Sequence, residues 1–218
     1  MKHATRASAL ARKSLRHLSQ ATHAVLVLSA FAAVLLLGGH HLRSQAAEAE
    51  ALALAEAEAA AAAEEMQLSA EMQRVRDWVA RRYRVSTEAL EPAFVEAEQS
   101  AREAALDPLL IVAMMAVESS FNPEAKSHAG ALGLMQVIPR WHMDKIGAEN
   151  DHTVLFDPRF NVQVGTLVLV EGLQRYGTLE AALQYYNGAR HDPEMRYTKR
   201  VMSVKRQLQD VLRKSSGA

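Results

Sequence analysis

The chain has no cysteine in its 218 residues. Disulfides, thiolate metal sites and thiol nucleophiles are therefore excluded, and any chemistry must rest on Asp, Glu, His, Ser or Tyr. There is no persuasive run of residues alternating at strand period, which points to a mainly α fold. The nine histidines offer no paired ligand spacing on one helix: His40 and His41 edge an apolar run, and His128, His142, His152 and His191 stand apart. No metal and no cofactor is implied. Gly130 and Gly133 are not followed by the Gly-Lys-Ser/Thr of a phosphate loop, and nothing indicates nucleic acid. Acidic residues are missing before Glu48, whereas Lys2, Arg6, Arg12, Lys13 and Arg16 all precede it. The formal net charge of +0 thus hides an electrically segmented chain and says little about partners.

What is present begins with an apolar run. From Leu18 to Leu42 there is no Lys, Arg, Asp or Glu, and Ala24 to Leu37 is apolar apart from Ser29. Such a run supplies the roughly 20 residues of a bilayer-crossing helix. The basic residues before it keep the N-terminus in the cytoplasm and send the remainder of the chain across the membrane. The expected organisation is a basic cytoplasmic leader over 1–20, a single-pass transmembrane anchor in the inner membrane over 21–42, a helical stalk over 43–84 and a folded domain over 85–214. That domain is expected in the periplasm. A cleaved signal peptide is the alternative, with small residues Ser44 and Ala46 at the cut; either way the domain is exported.

The stalk is almost wholly Ala and Glu between Gln45 and Glu65, with Leu52 and Leu54 and neither Gly nor Pro. Its helix propensity is high and it buries little. Leu68, Met72, Val75 and Val79 add a narrow apolar stripe, suited to pairing with another helix as in a coiled coil, or to packing on the domain. A helix continuous from Gln45 to Arg81 would reach about 50 Å at 1.5 Å per residue.

Helix punctuation then becomes dense. Thr87 is the expected cap of a helix through Glu103, with Pro92 in its first turn. Asp107-Pro108 opens a second helix, whose run Leu109 to Val117 is so apolar that it must lie deep in the core before Glu118 ends it. Asp157-Pro158 repeats the device and opens a helix to about Tyr176, with Val164, Leu167, Val168 and Leu173 expected inward. Thr178 caps another, ending at Tyr185-Tyr186-Asn187-Gly188. Tyr197 to Leu212 places Val201, Val204, Leu208 and Val211 on one face.

Glu118 stands where the negative end of the helix dipole and nearby Met114 and Met115 both disfavour a charged carboxylate, so its pKa is expected to be raised. Position alone does not separate it from a solvated glutamate at a helix end. The surrounding residues do. Glu118-Ser119-Ser120-Phe121-Asn122-Pro123 is followed by Ala125 and Ser127, then by Gly130-Ala131-Leu132-Gly133-Leu134-Met135-Gln136 with Pro139. Phe156-Asp157-Pro158 with Asn161 and Gly165, Tyr186-Asn187-Gly188, and Tyr197 before Val201 complete the set. In this order, over about Thr87 to Leu212, the chain resembles the family 1 lytic murein transglycosylases, whose catalytic domain is of the soluble-lytic-transglycosylase type and goose-lysozyme-like.

The resemblance implies cleavage of the MurNAc-GlcNAc β-1,4 bond of peptidoglycan with formation of 1,6-anhydro-MurNAc. Glu118 would be the single catalytic residue, acid and then base, so no second carboxylate is needed where ordinary glycosidases use a pair. Asp157 reads as a helix cap, and Asp144, Glu149 and Asp151 as surface. Ser127 matches a serine that bonds near the substrate N-acetyl group, with a loop turn as the plainer reading. Gln136 matches a groove-lining residue, and Met135 reads as wall. Tyr186 matches a tyrosine that approaches the catalytic glutamate; Asn187 shapes the turn into Gly188; Tyr197 lines the cleft or belongs to the core. Tyr185 departs from the family, which often has Ala there, and the connection from Gly188 to Tyr197 is short. The basic last helix, with Lys199, Arg200, Lys205 and Arg206, reads as a solvated outer face. A hydrolytic muramidase of the same fold and an inactive wall-binding scaffold are the alternatives. Such a protein would either remodel wall generally or serve a secretion or pilus machine, and its stalk would allow self-association.

Overall fold

The computed structural model describes residues 45, 50–57, 67–189 and 191–215. The expected leader and transmembrane anchor lie outside the described residues, among which no helix is long and apolar enough to cross a membrane. The chain divides into two compact units, Met1–Ala62 and Ala63–Ala218. In the first, residues 50–57 are helical and exposed, as a run of Ala, Glu and Leu with no apolar partner face would be.

The second unit is built from seven α-helices among the described residues: α1 (Ala70–Tyr83), α2 (Thr87–Glu103), α3 (Pro108–Glu118), α4 (Met143–Ile146), α5 (Pro158–Tyr176), α6 (Leu179–Tyr186) and α7 (Arg196–Ser215). Single 3-10 turns cover Pro139–Trp141 and His152–Phe156. The only β pairing among the described residues is a pair of isolated bridges, Lys126 with Leu132 and Leu132 with Val137. The mainly helical expectation holds for this unit.

Residues 67–69 are not helical, and the Ser69 hydroxyl accepts from the Met72 N–H to start α1 afresh. Leu68, Met72, Val75 and Val79 are buried in the same core as the rest of the unit. Of the two uses open to that stripe, packing on the domain is the one observed. The cap of α2 is Ser86, whose hydroxyl accepts from the Ala89 N–H, so Thr87 is already helical and Pro92 falls in the second turn. The hydroxyl one residue earlier reaches the orphan donor, and Pro92 forfeits one N–H bond.

Asp107 caps α3 by accepting from the Leu109 N–H, with Pro108 at the first helical position. Leu109 to Ala116 are all buried, which is why α3 shows no polar face. Packed between α2 and α7, it removes six large apolar side chains from water, worth roughly 9 to 18 kcal/mol at about 1.5 to 3 kcal/mol each, an upper estimate on the scale of a whole domain's net stability. On α5, Val164 and Val168 are buried as expected, but Leu167 is 44% exposed. The buried residues of that helix also include Asn161, Val162, Gly165, Leu169 and Gly172, so its inward direction centres near Gly165 and Gly172, and at about 100° per residue Leu167 points well away from it.

Candidate active site

Glu118 is the last residue of α3, and the chain leaves it sharply. Ser120 and Phe121 both have positive φ, 53° and 66°, a conformation that costs an L-residue free energy. Phe121 is held there by burial, packed edge-on against Tyr83 at 4.8 Å and near-parallel to Phe94 at 6.2 Å. The strained exit is therefore anchored in the core.

From α7, the Tyr197 hydroxyl donates to Glu118 Oε1 at 2.6 Å. Burial pushes the Glu118 carboxyl up to about 7, against the Tyr197 hydrogen bond and the positive charge of Arg200, both of which favour the carboxylate. The raised value expected from sequence is present, and desolvation is its leading cause. Among the described residues, no carboxylate acts on Glu118. Asp157 caps α5 through the Phe160 N–H, Asp151 caps the following 3-10 turn, and Asp144 pairs with Lys145.

Tyr186 ends α6 with its ring 6.5 Å from that of Tyr197 and nearly parallel, 9° apart. Its hydroxyl donates to the Met135 carbonyl at 2.7 Å rather than to Glu118. Tyr197, open between cleft and core, is thus the tyrosine that bonds the glutamate, while Tyr186 comes near enough to feel its charge and bonds the loop opposite. Burial, reinforced by the Glu118 charge, pushes both phenols well above the usual tyrosine range, so both remain donors near neutral pH.

The loop between α3 and α4 is further tied down by a residue whose role sequence reasoning left unassigned. Asn161, fully buried on α5, accepts from the Met135 N–H at 2.7 Å and donates to the carbonyls of Leu132 and Leu155 at 3.0 and 2.8 Å. The available signal was an amide in the apolar stripe it shares with Val164 and Val168, since buried polar groups are there to be bonded. Gly133, at φ 75°, leaves room for that side chain: a Cβ there would lie 2.2 Å from Asn161 Nδ2 and from the Leu155 carbonyl. Gly165 gives the same clearance to Met135, whose Sδ would be 2.6 Å from a Cβ. Met135 is accordingly buried wall.

Gln136 has a left-handed backbone, φ 51°, and its amide nitrogen donates to the Gly133 and Ala125 carbonyls at 2.9 and 3.2 Å. Its amide donors serve the loop, and its oxygen remains for a ligand. Ser127 is exposed, with its hydroxyl accepting from the Ala131 N–H at 3.0 Å, which is the turn role. Asn187 is exposed at the end of α6, where its N–H closes the helix.

Two cavities flank the Asn187-Gly188 turn. One, of about 520 Å³, has Gln136, Trp141, Tyr185 and Tyr186 among its walls. The other, of about 650 Å³, has Tyr197, Arg196 and Arg200. Tyr186 and Tyr197 thus face different cavities, with Tyr197 bonded to Glu118 and Tyr186 near enough to feel its charge. Arg200 is exposed, as expected of a solvated face, and its charge also acts on Glu118 because it stands one turn after Tyr197 on α7. Tyr185 extends the first wall, its hydroxyl donating to Glu171 at 3.0 Å. Among the described residues, no group of three or more metal-ligating side chains is gathered.

Residues 96–208, just over half of the chain, match the family described as Transglycosylase SLT domain. A transglycosylase of Enterobacteria phage PRD1 is 40% identical over 83 residues, 38% of this chain and 29% of that protein. The membrane-bound lytic murein transglycosylase C of Actinobacillus pleuropneumoniae serotype 5b is 43% identical over 75 residues, 32% of this chain and 20% of that protein. That of Cronobacter sakazakii is 44% identical over 78 residues, 33% and 21%. The chain spans less than a third of the length of these curated relatives. An inactive mutant of the lytic transglycosylase Slt of Pseudomonas aeruginosa shares 21% identity at a TM-score of 0.48, over 54% of this chain and 24% of that one. The matched span runs from within α2 into α7 and takes in Glu118, Gln136, Tyr186 and Tyr197, so the chain belongs to the transglycosylase SLT domain family.

Proposed function

We propose that the chain is a peptidoglycan lytic transglycosylase that cuts the MurNAc-GlcNAc β-1,4 bond and closes a 1,6-anhydro ring on the muramyl product. The observation that carries the reading is Glu118: a carboxyl whose pKa burial raises to about 7, oriented by one tyrosine, with no second carboxylate acting on it among the described residues. In the first step its proton passes to the glycosidic oxygen, the bond from that oxygen to the muramyl C1 breaks, and the N-acetylglucosaminyl portion leaves as an alcohol. The substrate N-acetyl oxygen supports the positive C1. In the second step the Glu118 carboxylate takes the C6 hydroxyl proton, and O6 bonds to C1 in place of the N-acetyl oxygen. No water enters, and Glu118 ends protonated as it began.

In this scheme Gln136 and Asn187 bind substrate at the cleft, Met135 backs the wall from the core without touching substrate, and Ser127 offers its hydroxyl to an N-acetyl group. Mass spectrometry of digested peptidoglycan tests the chemistry. Anhydro-muropeptides support it; reducing ends alone assign a hydrolytic muramidase. A Glu118→Gln variant digesting wall as fast as the parent would remove Glu118 from the mechanism, and a parent that binds wall without cutting it would return the chain to the wall-binding alternative.

The same proposal places a leader over 1–20 in the cytoplasm, an inner-membrane anchor over 21–42, a stalk from 43 and the enzyme domain to 214 in the periplasm. The apolar run with one-sided basic flank supports this, and the word membrane-bound stands in the names of relatives. Recovery of the protein from soluble periplasm with its N-terminus shortened to near Ala46 would replace the anchor by a cleaved signal. Service to a secretion or pilus machine, and self-association through the stalk, are consistent with a tethered wall-cutting enzyme, and pull-down of the full chain from membranes tests both.

A further inference from the structure

Trp141 is 66% exposed, more than any other large hydrophobic side chain among the described residues. It closes the 3-10 turn Pro139–Trp141, where its N–H donates to the Ile138 carbonyl at 3.1 Å. It does not stand alone. Tyr176, 39% exposed, and Tyr185 line the same cavity of about 520 Å³, their rings 5.5 Å apart. Arg140 lies over the Trp141 ring at 5.2 Å, and Arg175 over the Tyr185 ring at 5.7 Å.

This aromatic wall is braced. The Tyr185 hydroxyl donates to Glu171, which also receives Lys145 and Arg175, each at 2.5 Å. Gly172 leaves the Tyr185 ring its place, since a Cβ there would lie 3.0 Å from Tyr185 Cδ1. The wall is also continuous with the site. The cavity runs to Gln136 and Tyr186, and the Tyr186 ring lies against that of Tyr197, which holds Glu118. A pyranose ring matches such a wall: its C–H faces are apolar, and its rim of hydroxyls suits guanidinium and amide neighbours. A glycan strand extending from the bond being cut would present further rings of this kind.

We propose that Trp141, with Tyr176 and Tyr185, is a platform on which a sugar ring of the same strand stacks at a distance from the scissile bond, so that affinity rises with strand length. The inference rests on the reading of the site as a glycan cleft. It makes Trp141 a binding residue that acts on strand length and leaves the proton chemistry to Glu118.

The test is calorimetric binding of chitotriose and chitohexaose to the full chain carrying Glu118→Gln, alone and combined with Trp141→Ala or Trp141→Phe. Trp141→Ala is expected to weaken chitohexaose about fivefold to tenfold while leaving chitotriose unchanged, and Trp141→Phe to recover most of the loss. Emission should add a signature. The chain has two tryptophans, and the change on adding chitohexaose should vanish in Trp141→Phe although binding persists, because Trp78 lines a different cavity. Equal weakening of both oligomers, or of neither, overturns the platform while the cleft reading stands. Binding of neither by the chain with Trp141 intact overturns both. A circular-dichroism melt of each variant separates lost binding from lost fold.

Discussion

Glu118 keeps its proton because burial penalises its carboxylate, while Tyr197 and Arg200 limit how far that goes. Replacing Tyr197 by Phe removes a hydrogen bond to the charged form, so the Glu118 pKa should rise above about 7. The alkaline limb of the pH-rate profile, where the general acid is lost, should move to higher pH, with kcat at its optimum falling roughly tenfold as orientation is lost. An unmoved limb would separate Tyr197 from the acid. Stability carries the opposite mark of the same proton. The carboxyl titrates near 4.5 unfolded and about 7 folded, so the folded state binds more protons between those values. The contribution is complete below about 4.5 and is lost as pH rises through about 7, by up to roughly 3 kcal/mol. A Glu118→Gln variant, which cannot ionise, should therefore match the parent near pH 4.5 and melt higher at pH 8, as paired thermal scans would reveal. The raised pKa was legible, since an acid after eight buried residues has little choice. The donor was not. Tyr197 is 79 residues from Glu118, and nothing in local periodicity tells which of two tyrosines reaches a distant carboxylate.

Elements were legible wherever a side chain speaks to its own backbone. Asp107, Asp157 and Thr178 cap the helices that come after them because each presents an oxygen within a few residues of orphan N–H groups. Ser86 and Thr87 compete for one such place, and the sequence offers no way to choose between adjacent hydroxyls. Loop geometry was much less legible, because its cause is remote: the stretch from Leu132 to Met135 is fixed by Asn161, from another helix. Asn161→Ala would leave the Met135 N–H and the Leu132 and Leu155 carbonyls without that partner. Unfolding in urea should show a loss of about 3 kcal/mol or more, with activity falling in step because Gln136 rides on the same loop. A loss under about 1 kcal/mol would mean that water replaces the amide. Gly133→Ala should be harsher still, since it combines a positive φ with a clash against backbone.

On the scale of the whole molecule, the compact unit begins at Ala63, whereas periodicity suggested a domain from 85. A stripe spaced four, three and four residues looks the same whether it faces a partner helix or its own domain; only the tertiary packing of α1 against α2 and α7 distinguishes them. A chain starting at Ala63 should melt cooperatively, and one starting at Val85 should be insoluble or molten. It would lack Leu68, Met72, Val75 and Val79, which at about 1.5 to 3 kcal/mol each amount to a typical domain's net stability. Equal melting temperatures for the two would show α1 to be dispensable. A last property belongs to α3 and α7 together. Lys205 pairs with Asp107 at 2.7 Å, beside the first turn of α3, and Tyr197 meets Glu118 at its last. The two helices therefore run antiparallel as the rails of a ladder with two rungs, one an ion pair and one a hydrogen bond to the reacting carboxyl. Neither rail can slide along the other without stretching both rungs, so the aim of the proton donor is set by the mechanical register of a helix pair.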